Sequence, residues 1–472
     1  MKKVSLALLF LSLFLSLLPL AAAEGEKYTL DTLIEAMEEG NADLLKSDQE
    51  VLKAHYDTAD AKGAYTPSID LLITGTYMAN PVMGPIKLRP GDIQGLPDIV
   101  DSIWTDPLDI SMNMGNNRVQ GQLTITQPIF TWGKLSNAVK LFQTVEGLRG
   151  MERSDKENQL IVELKSRLDA LYYMDSIYPL LSEIEEKADR LIAISETAEE
   201  EGMLLEEDVL DAKIQKQQVA LSRKEIDSQY SSVLEALRTL TGIDDLTMAD
   251  VDYTPDESSA DTILSYSVDE LVAASTDPSR LSVQMLEGME KVQGYTKKIA
   301  EGSIYGKPDI ALQVSASYGG KIDSNWFDDD TWGLNITVAL STTLWDGGKK
   351  LNDIKRADSS IAEASIDKET AIRTIEENVI SSYNAAELSK EKIAFAQMQL
   401  DLDEMKAEKE RTAQALGSSS DSNVLQAELK VIQDQVTLIT ERIQLSQSVY
   451  TLMYLSGIDA PRQALITDGM AE

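Results

Sequence analysis

The 472 residues include no cysteine and a single histidine, His55, with 79 aspartates and glutamates against 43 lysines and arginines, a formal charge of −36. Disulfides, thiolate metal sites and cysteine nucleophiles are excluded, and one histidine leaves no material for histidine metal clusters or a Ser-His-Asp triad, so no metal site, cofactor or catalytic residue is expected. A chain this acidic repels nucleic acid and anionic headgroups, which removes polyanions from its partners.

The chain opens on Lys2 and Lys3, an apolar run from Val4 to Leu18, then Pro19 and Ala21-Ala22-Ala23. A basic start, about 15 apolar residues and a small-residue site describe a cleaved secretory signal over residues 1–23. That run is short of the ~20 residues a spanning helix needs, and no comparable run follows, so the mature chain is expected to have no transmembrane helix. A helical stretch from about Thr32 to Ala64 then ends near Pro67.

Beyond Pro67 the period changes to two. Ile69, Leu71, Ile73 and Tyr77 alternate with Asp70, Leu72, Thr74 and Thr76, and Val119, Leu123 and Ile125 alternate with Gln120, Gln122 and Thr124. Apolar residues on one face and small or hydroxyl residues on the other predict half-buried strands over 68–77 and 119–127. A proline-rich segment, Met78 to Arg118, joins them. Helical spacing returns at Lys134 and holds for 68 residues to Glu201, or ~100 Å at about 1.5 Å per residue, with Pro179 expected to kink or interrupt it. Gly202 predicts a hairpin tip, since glycine readily ends a helix. The returning helix carries Leu205, Ala212, Val219, Ile226, Val233 and Leu240 at seven-residue intervals, which imposes left-handed supercoiling on packed helices.

Residues 245–265 are acidic, contain Pro255 and read as a linker or small packed insert, after which the pattern repeats. A helical stretch from Asp269 to about Tyr305 ends near Pro308. Strands follow over 309–318 and 332–341, then a second long hairpin over 349–455 with its tip at Gly417. Val424, Val431, Leu438, Leu445 and Leu452 again recur every seven residues. Gly133 answers Gly348, Gly202 answers Gly417, and Leu240-Thr241-Gly242 answers Leu455-Ser456-Gly457, all at an offset of 215. Packed segments conserve length better than loops, so two copies in matched register are expected, 24–244 and 266–459, followed by a tail over 460–472.

Each strand, about 9–10 residues long, suits a tilted membrane strand, and Tyr77, Tyr318 and Trp332 at the loop-side ends suit an aromatic girdle. Lipid tolerates strands only in closed barrels of at least about eight, so four strands per chain require oligomerisation. The expected fold is therefore an α+β membrane protein: four strands contributed to an oligomeric transmembrane β-barrel, continued by an antiparallel coiled-coil helical barrel, in two internal repeats. An exported coiled-coil structural or surface protein without channel activity is the alternative, but it leaves the four alternating strands without a purpose.

The two copies, the helix-to-strand junctions at Pro67 and Pro308, the strand-to-helix turns at Gly133 and Gly348, and the glycines at the tips and helix ends together resemble the TolC-type outer-membrane efflux protein family, from Tyr28 to about Asp459. The resemblance implies a homotrimeric exit duct in the outer-membrane lipid, with its helical part in the periplasm. It also implies docking to a periplasmic adaptor protein and an inner-membrane pump, in efflux or in type I secretion. Some members narrow the periplasmic entrance with acidic residues six and nine positions after the second tip glycine. Here those positions are Asn423 and Gln426, the implied candidates for a constriction. The first hairpin has Asp208 and Asp211 at the equivalent places, beside Glu206 and Glu207. Those acids suit a gating or adaptor contact, or equally a solvated helix start.

Overall fold

The computed structural model describes residues 27–77, 86–88, 108–110, 117–203, 205–321 and 328–458. The expected signal, the C-terminal tail and most of the proline-rich loop lie outside the described residues. The chain divides into two compact units, one made of Lys53–Gly147 and Gly288–Ser365, the other of Met1–Leu52, Leu148–Glu287 and Ile366–Glu472.

The N-terminal helical stretch is two helices, α1 (Leu30–Gly40) and α2 (Ala42–Gly63), where the sequence suggested one. Asn41 causes the break. Its Oδ1 accepts from the amides of Asp43 at 3.0 Å and Leu44 at 3.3 Å, satisfying donors that open α2. The second copy is interrupted likewise, into α7 (Val268–Ser275) and α8 (Leu281–Gly302), around Pro278. Between the hairpins, residues 245–265 form a packed insert and not a free linker: Leu246, Val251 and Ile263 are buried, and a short helix, α6 (Ser258–Ile263), lies within it.

In the first unit, β1 (Ser68–Tyr77), β4 (Asn117–Phe130), β5 (Asp309–Lys321) and β6 (Asp328–Ser341) form one antiparallel sheet in the order β1-β4-β5-β6. Two three-residue strands, β2 (Ile86–Leu88) and β3 (Leu108–Ile110), pair separately. Three of the sheet strands are longer than the sequence pattern indicated, at 14, 13 and 14 residues, because pairing continues past the alternating segments. Registration stacks like with like. Ile69, Ile125, Val314 and Ile336 share a row, as do Leu71, Leu123, Ala316 and Leu334. The opposite face carries Asp70, Thr124, Ser315 and Asn335, then Leu72, Gln122, Ser317 and Gly333. Gly319 is needed where β4 and β5 approach closely, since a Cβ there would lie 2.6 Å from the carbonyl oxygen of Val119.

The second unit holds the hairpins: α3 (Lys134–Asp175, whose residues from Leu148 belong here), α4 (Tyr178–Glu200), α5 (Glu206–Thr241), the part of α9 (Lys349–Ala415) from Ile366, and α10 (Asp421–Ser456). The expected 68-residue helix is divided at Ser176 and Ile177, with Pro179 in the first turn of α4, where its missing N–H costs nothing. At the same place in the other copy, 215 residues on, stands Ala394, and α9 runs unbroken for 67 residues. Leu205 does not join the buried seam of its heptad; it precedes α5 and is 69% exposed.

The helices are held by periodic apolar burial. One core joins Leu33, Ile34 and Met37 of α1 to Leu160, Ile161, Leu164, Leu168 and Leu171 of α3 and to Leu237 and Leu240 at the end of α5. Another joins Ile177, Leu181, Ile184 and Ala188 to Ala212, Val219 and Ile226 of α5 and to Leu425, Leu429 and Ile432 of α10. The two returning helices, α5 and α10, are both 36 residues long and end on glycines with φ of 73° and 71°, Gly242 and Gly457. Among the described residues no helix is long and apolar enough to cross a membrane.

Candidate functional site

The two hairpin tips are built alike. Gly202 and Gly417 take φ of 72° and 74°. The next amide in each case reaches back to a carbonyl five residues earlier, Met203 N to Ala198 O and Ser418 N to Ala413 O, both at 2.8 Å. The left-handed residue and this bond close off the last turn's carbonyls, and a Cβ at either position would meet backbone strain.

Beyond the tips the hairpins differ. At the start of α5, Glu206, Glu207 and Asp208 occupy the first turn, where the helix dipole favours carboxylates, and Asp208 Oδ2 accepts from Leu205 N at 3.0 Å. At the start of α10, Ser420 is the cap, accepting from Asn423 N at 3.2 Å. Asn423 is exposed and its amide donates to Ser419 Oγ at 3.3 Å, within its own turn, and Gln426 is exposed one turn on. Asp211 is different in kind from its acidic neighbours. Its Oδ2 accepts from Gln215 Nε2 at 2.7 Å and from Ser422 Oγ at 3.3 Å, joining the first hairpin to the second beside Asn423. Glu206 and Glu207 remain exposed.

A stronger link lies deeper and was not singled out in the sequence. Glu428 of α10 is 2% exposed, and its Oε1 accepts from Lys187 Nζ of α4 at 2.7 Å and from Arg411 Nε of α9 at 2.8 Å. Burial disfavours the Lys187 charge, but hydrogen bonds to Glu428 and Glu183 outweigh it and raise its pKa. One carboxylate thus ties three helices together. The clue in the sequence is a glutamate four residues after Val424 and three before Val431, on the buried side of the heptad. A second buried carboxylate, Asp169 of α3, accepts from Tyr253 Oη at 2.5 Å and from Tyr450 Oη at 2.9 Å, pinning the insert and α10 to α3. Burial raises its pKa despite these bonds.

In the sheet unit, Tyr318 and Trp332 stand directly opposite one another on β5 and β6, in the row that contains Ile73. Tyr77 lies four residues beyond that row, opposite Asn117. Trp332 is 80% exposed. At the other ends of the strands is a second aromatic group. Phe130 and Trp132 meet edge to face at 5.0 Å, Tyr305 and Trp345 stack at 6.1 Å, and Trp132 Nε1 donates to Pro308 O at 2.9 Å.

Residues 306–458 match the family model described as Outer membrane efflux protein. That segment, about a third of the chain, is similar to the outer membrane efflux protein family. It contains β5, β6 and the whole second hairpin. The fold likeness extends further. The outer membrane protein VceC of Vibrio cholerae is 15% identical, with 91% of this chain and 96% of that chain covered at a TM-score of 0.67. The CmeC outer membrane channel of Campylobacter jejuni is 14% identical, with 93% and 90% covered and a TM-score of 0.68. The MtrE outer membrane channel of Neisseria gonorrhoeae is 13% identical, with 91% and 88% covered and a TM-score of 0.64. Identities this low establish the fold alone, which the chain shares with those proteins over about nine-tenths of its length. No curated protein sequence matches the chain.

Proposed function

We propose that three copies of this chain assemble into an outer-membrane efflux duct, a passive conduit from periplasm to exterior. The observation that carries the reading is the sheet. One face is a continuous apolar surface that the chain leaves open, with Ile69, Leu71, Ile73, Ile336 and Leu340 each more than 60% exposed. Its other face is mostly hydroxyl, amide and glycine, with Leu72 the one large apolar side chain among the paired rows, and its outer strands β1 and β6 each have one partner among the described residues. Removing such side chains from water is worth about 1.5–3 kcal/mol each, so an apolar environment outside and a wet interior are the stable arrangement. Closing the two free edges between copies satisfies the backbone, and three copies supply twelve strands from the four of each chain.

The dimensions support it. From Ile310 to Tyr318 the apolar stretch of β5 spans ~27 Å along the strand, or ~20 Å of height at a tilt near 40°, before the flanking aromatics are added, against an apolar band of about 25 Å. Tyr77, Tyr318 and Trp332 then form the outer girdle, and Phe130, Trp132 and Trp345 the inner one. Two further apolar seams lie open on the helices: Leu388, Phe395, Met398 and Met405 on α9, and Leu210, Ile214 and Leu221 on α5. We assign them to packing between copies of a periplasmic helical barrel built from two repeats, 24–244 and 266–459. Asn423 and Gln426 are the candidate constriction. The acidic start of α5 at Glu206, Glu207 and Asp208 is the candidate contact for a periplasmic adaptor, which would link the duct to an inner-membrane pump. The reading gives the chain no catalytic role. An exported coiled-coil spacer would leave the sheet's apolar face in water.

Light scattering of the purified protein in mild detergent should give the mass of a trimer, and planar bilayers should show unitary conductance. A stable monomer with its strands intact sinks the proposal.

A further inference from the structure

We propose that Asp403 of α9 and Asp434 of α10 share one proton in the core of the second hairpin, and that gaining it tightens the helices leading to the Gly417 tip while losing it loosens them. Both residues occupy core positions. Asp403 continues the buried series Ala396, Leu400 and Ala407, and Asp434 the series Val431 and Leu438, all in one apolar cluster with Ile393 and Ala427. Asp403 is 3% exposed and Asp434 6%. Their carboxyl groups lie within hydrogen-bonding reach of one another. Two carboxylates have no proton between them to make such a bond, and Asp434 Oδ2 is buried without a donor to satisfy it. A proton on that oxygen supplies the missing donor and turns the contact into a carboxylic acid donating to a carboxylate.

The surrounding charges set which acid holds it. Asp403 has Lys406 Nζ at 2.6 Å and Gln399 Nε2 at 3.0 Å, so its negative charge is doubly stabilised and its pKa is lowered. Asp434 has one cation, Lys430 Nζ at 2.9 Å, but burial and its acidic neighbour leave its pKa raised. Other charges along the packed helices are engaged elsewhere. Lys187 and Arg411 hold Glu428, Glu183 holds Lys187, and Lys392 holds Glu441 at 3.1 Å. Glu404 lines the groove toward α4 and adds further negative charge.

The sign follows for each group. The raised Asp434 contributes stability that is present in acid and lost as pH rises through its folded value. The lowered Asp403 contributes stability that is lost only as pH falls through its own. Between the two the hairpin holds one proton and is tightest, and toward neutral and alkaline pH two buried carboxylates repel.

Only the link to the Gly417 entrance rests on the duct reading; the proton itself is measurable on the full-length protein in detergent, without any current. Asp434→Asn keeps the shape and donates to Asp403 at every pH. Its thermal midpoint should exceed the wild type's by about 2–4 °C near pH 8, with the gap closing as pH falls through the folded value of Asp434. Infrared spectra on acidification should show a protonated-carboxyl band that both D434N and D403N remove or shift. Protection of α9 and α10 amides between Ala396 and Leu438, taken relative to the intrinsic exchange rate at each pH, should rise on acidification in the wild type and stay constant in D434N. A gap independent of pH, or a carboxyl band unaltered by both variants, overturns the proposal. Should D434N fold poorly, the D403N/D434N double variant answers the same question, since the pair then has no carboxyl group and the protonated-carboxyl band assigned to it must be missing.

Discussion

Replacing Glu428 with glutamine cuts the link among α4, α9 and α10 while keeping its volume. The glutamate side chain is 3% exposed, whereas those of Lys187 and Arg411 are 29% and 46% exposed. Each hydrogen bond to a charged group contributes about 1.5–3 kcal/mol, and two are weakened together. The cations are not stranded: Lys187 retains Glu183 at 2.9 Å, and Arg411 retains Glu408 at 3.3 Å, with water for the rest. The loss should therefore fall below the sum, at ~2–3 kcal/mol, a shift of about 30–150-fold in any equilibrium that separates the hairpins.

Urea unfolding of E428Q should show a lowered midpoint with an unchanged slope, and in bilayers the variant should spend more time in a higher-conductance state. A double-mutant cycle with Lys187→Met isolates the contact between hairpins, for which a coupling of about 1–2 kcal/mol is expected. Additive effects of K187M and E428Q would show that Glu428 merely fills space. A wild-type midpoint in E428Q would refute the reasoning altogether.

Two further outcomes are expected. Gly319→Ala should weaken the sheet by about 1–3 kcal/mol, because the new Cβ meets the Val119 carbonyl and not a movable side chain; the heat resistance of the assembled oligomer on a gel would report it, and no change would mean that β4 and β5 are not so closely apposed. Replacing Asn423 and Gln426 together with alanine should raise single-channel conductance, and Asn423→Asp should add sensitivity to divalent cations; if neither change acts, the constriction lies elsewhere, with Asp208 and Asp211 the next to test.

Features that depend on neighbours in the chain were legible in the sequence. Period-two alternation marked β1, β4, β5 and β6 because successive side chains of a strand take opposite faces, and seven-residue recurrence marked α5 and α10 because helical faces repeat. Gly202 and Gly417 were readable as tips because only glycine adopts a left-handed backbone without strain. Local pattern also suggested that Pro179 would kink or interrupt its helix, and the helix does divide just before it. What required the tertiary structure was every property set by residues far apart in sequence. The pairing of β4 with β5, which joins the two halves in one sheet, depends on register across some 190 residues, and alternation is silent about partners. The same holds for polar groups in the core. Asp169, Asp403 and Asp434 look in sequence like acids on solvated faces of an acidic chain, and only its heptad position hints that Glu428 is buried. Their burial depends on which helix lies opposite, and a buried carboxylate is stable only with donors that other segments supply. Lys187 stands 241 residues from Glu428 and Tyr450 281 from Asp169, so no local reading could have found those donors.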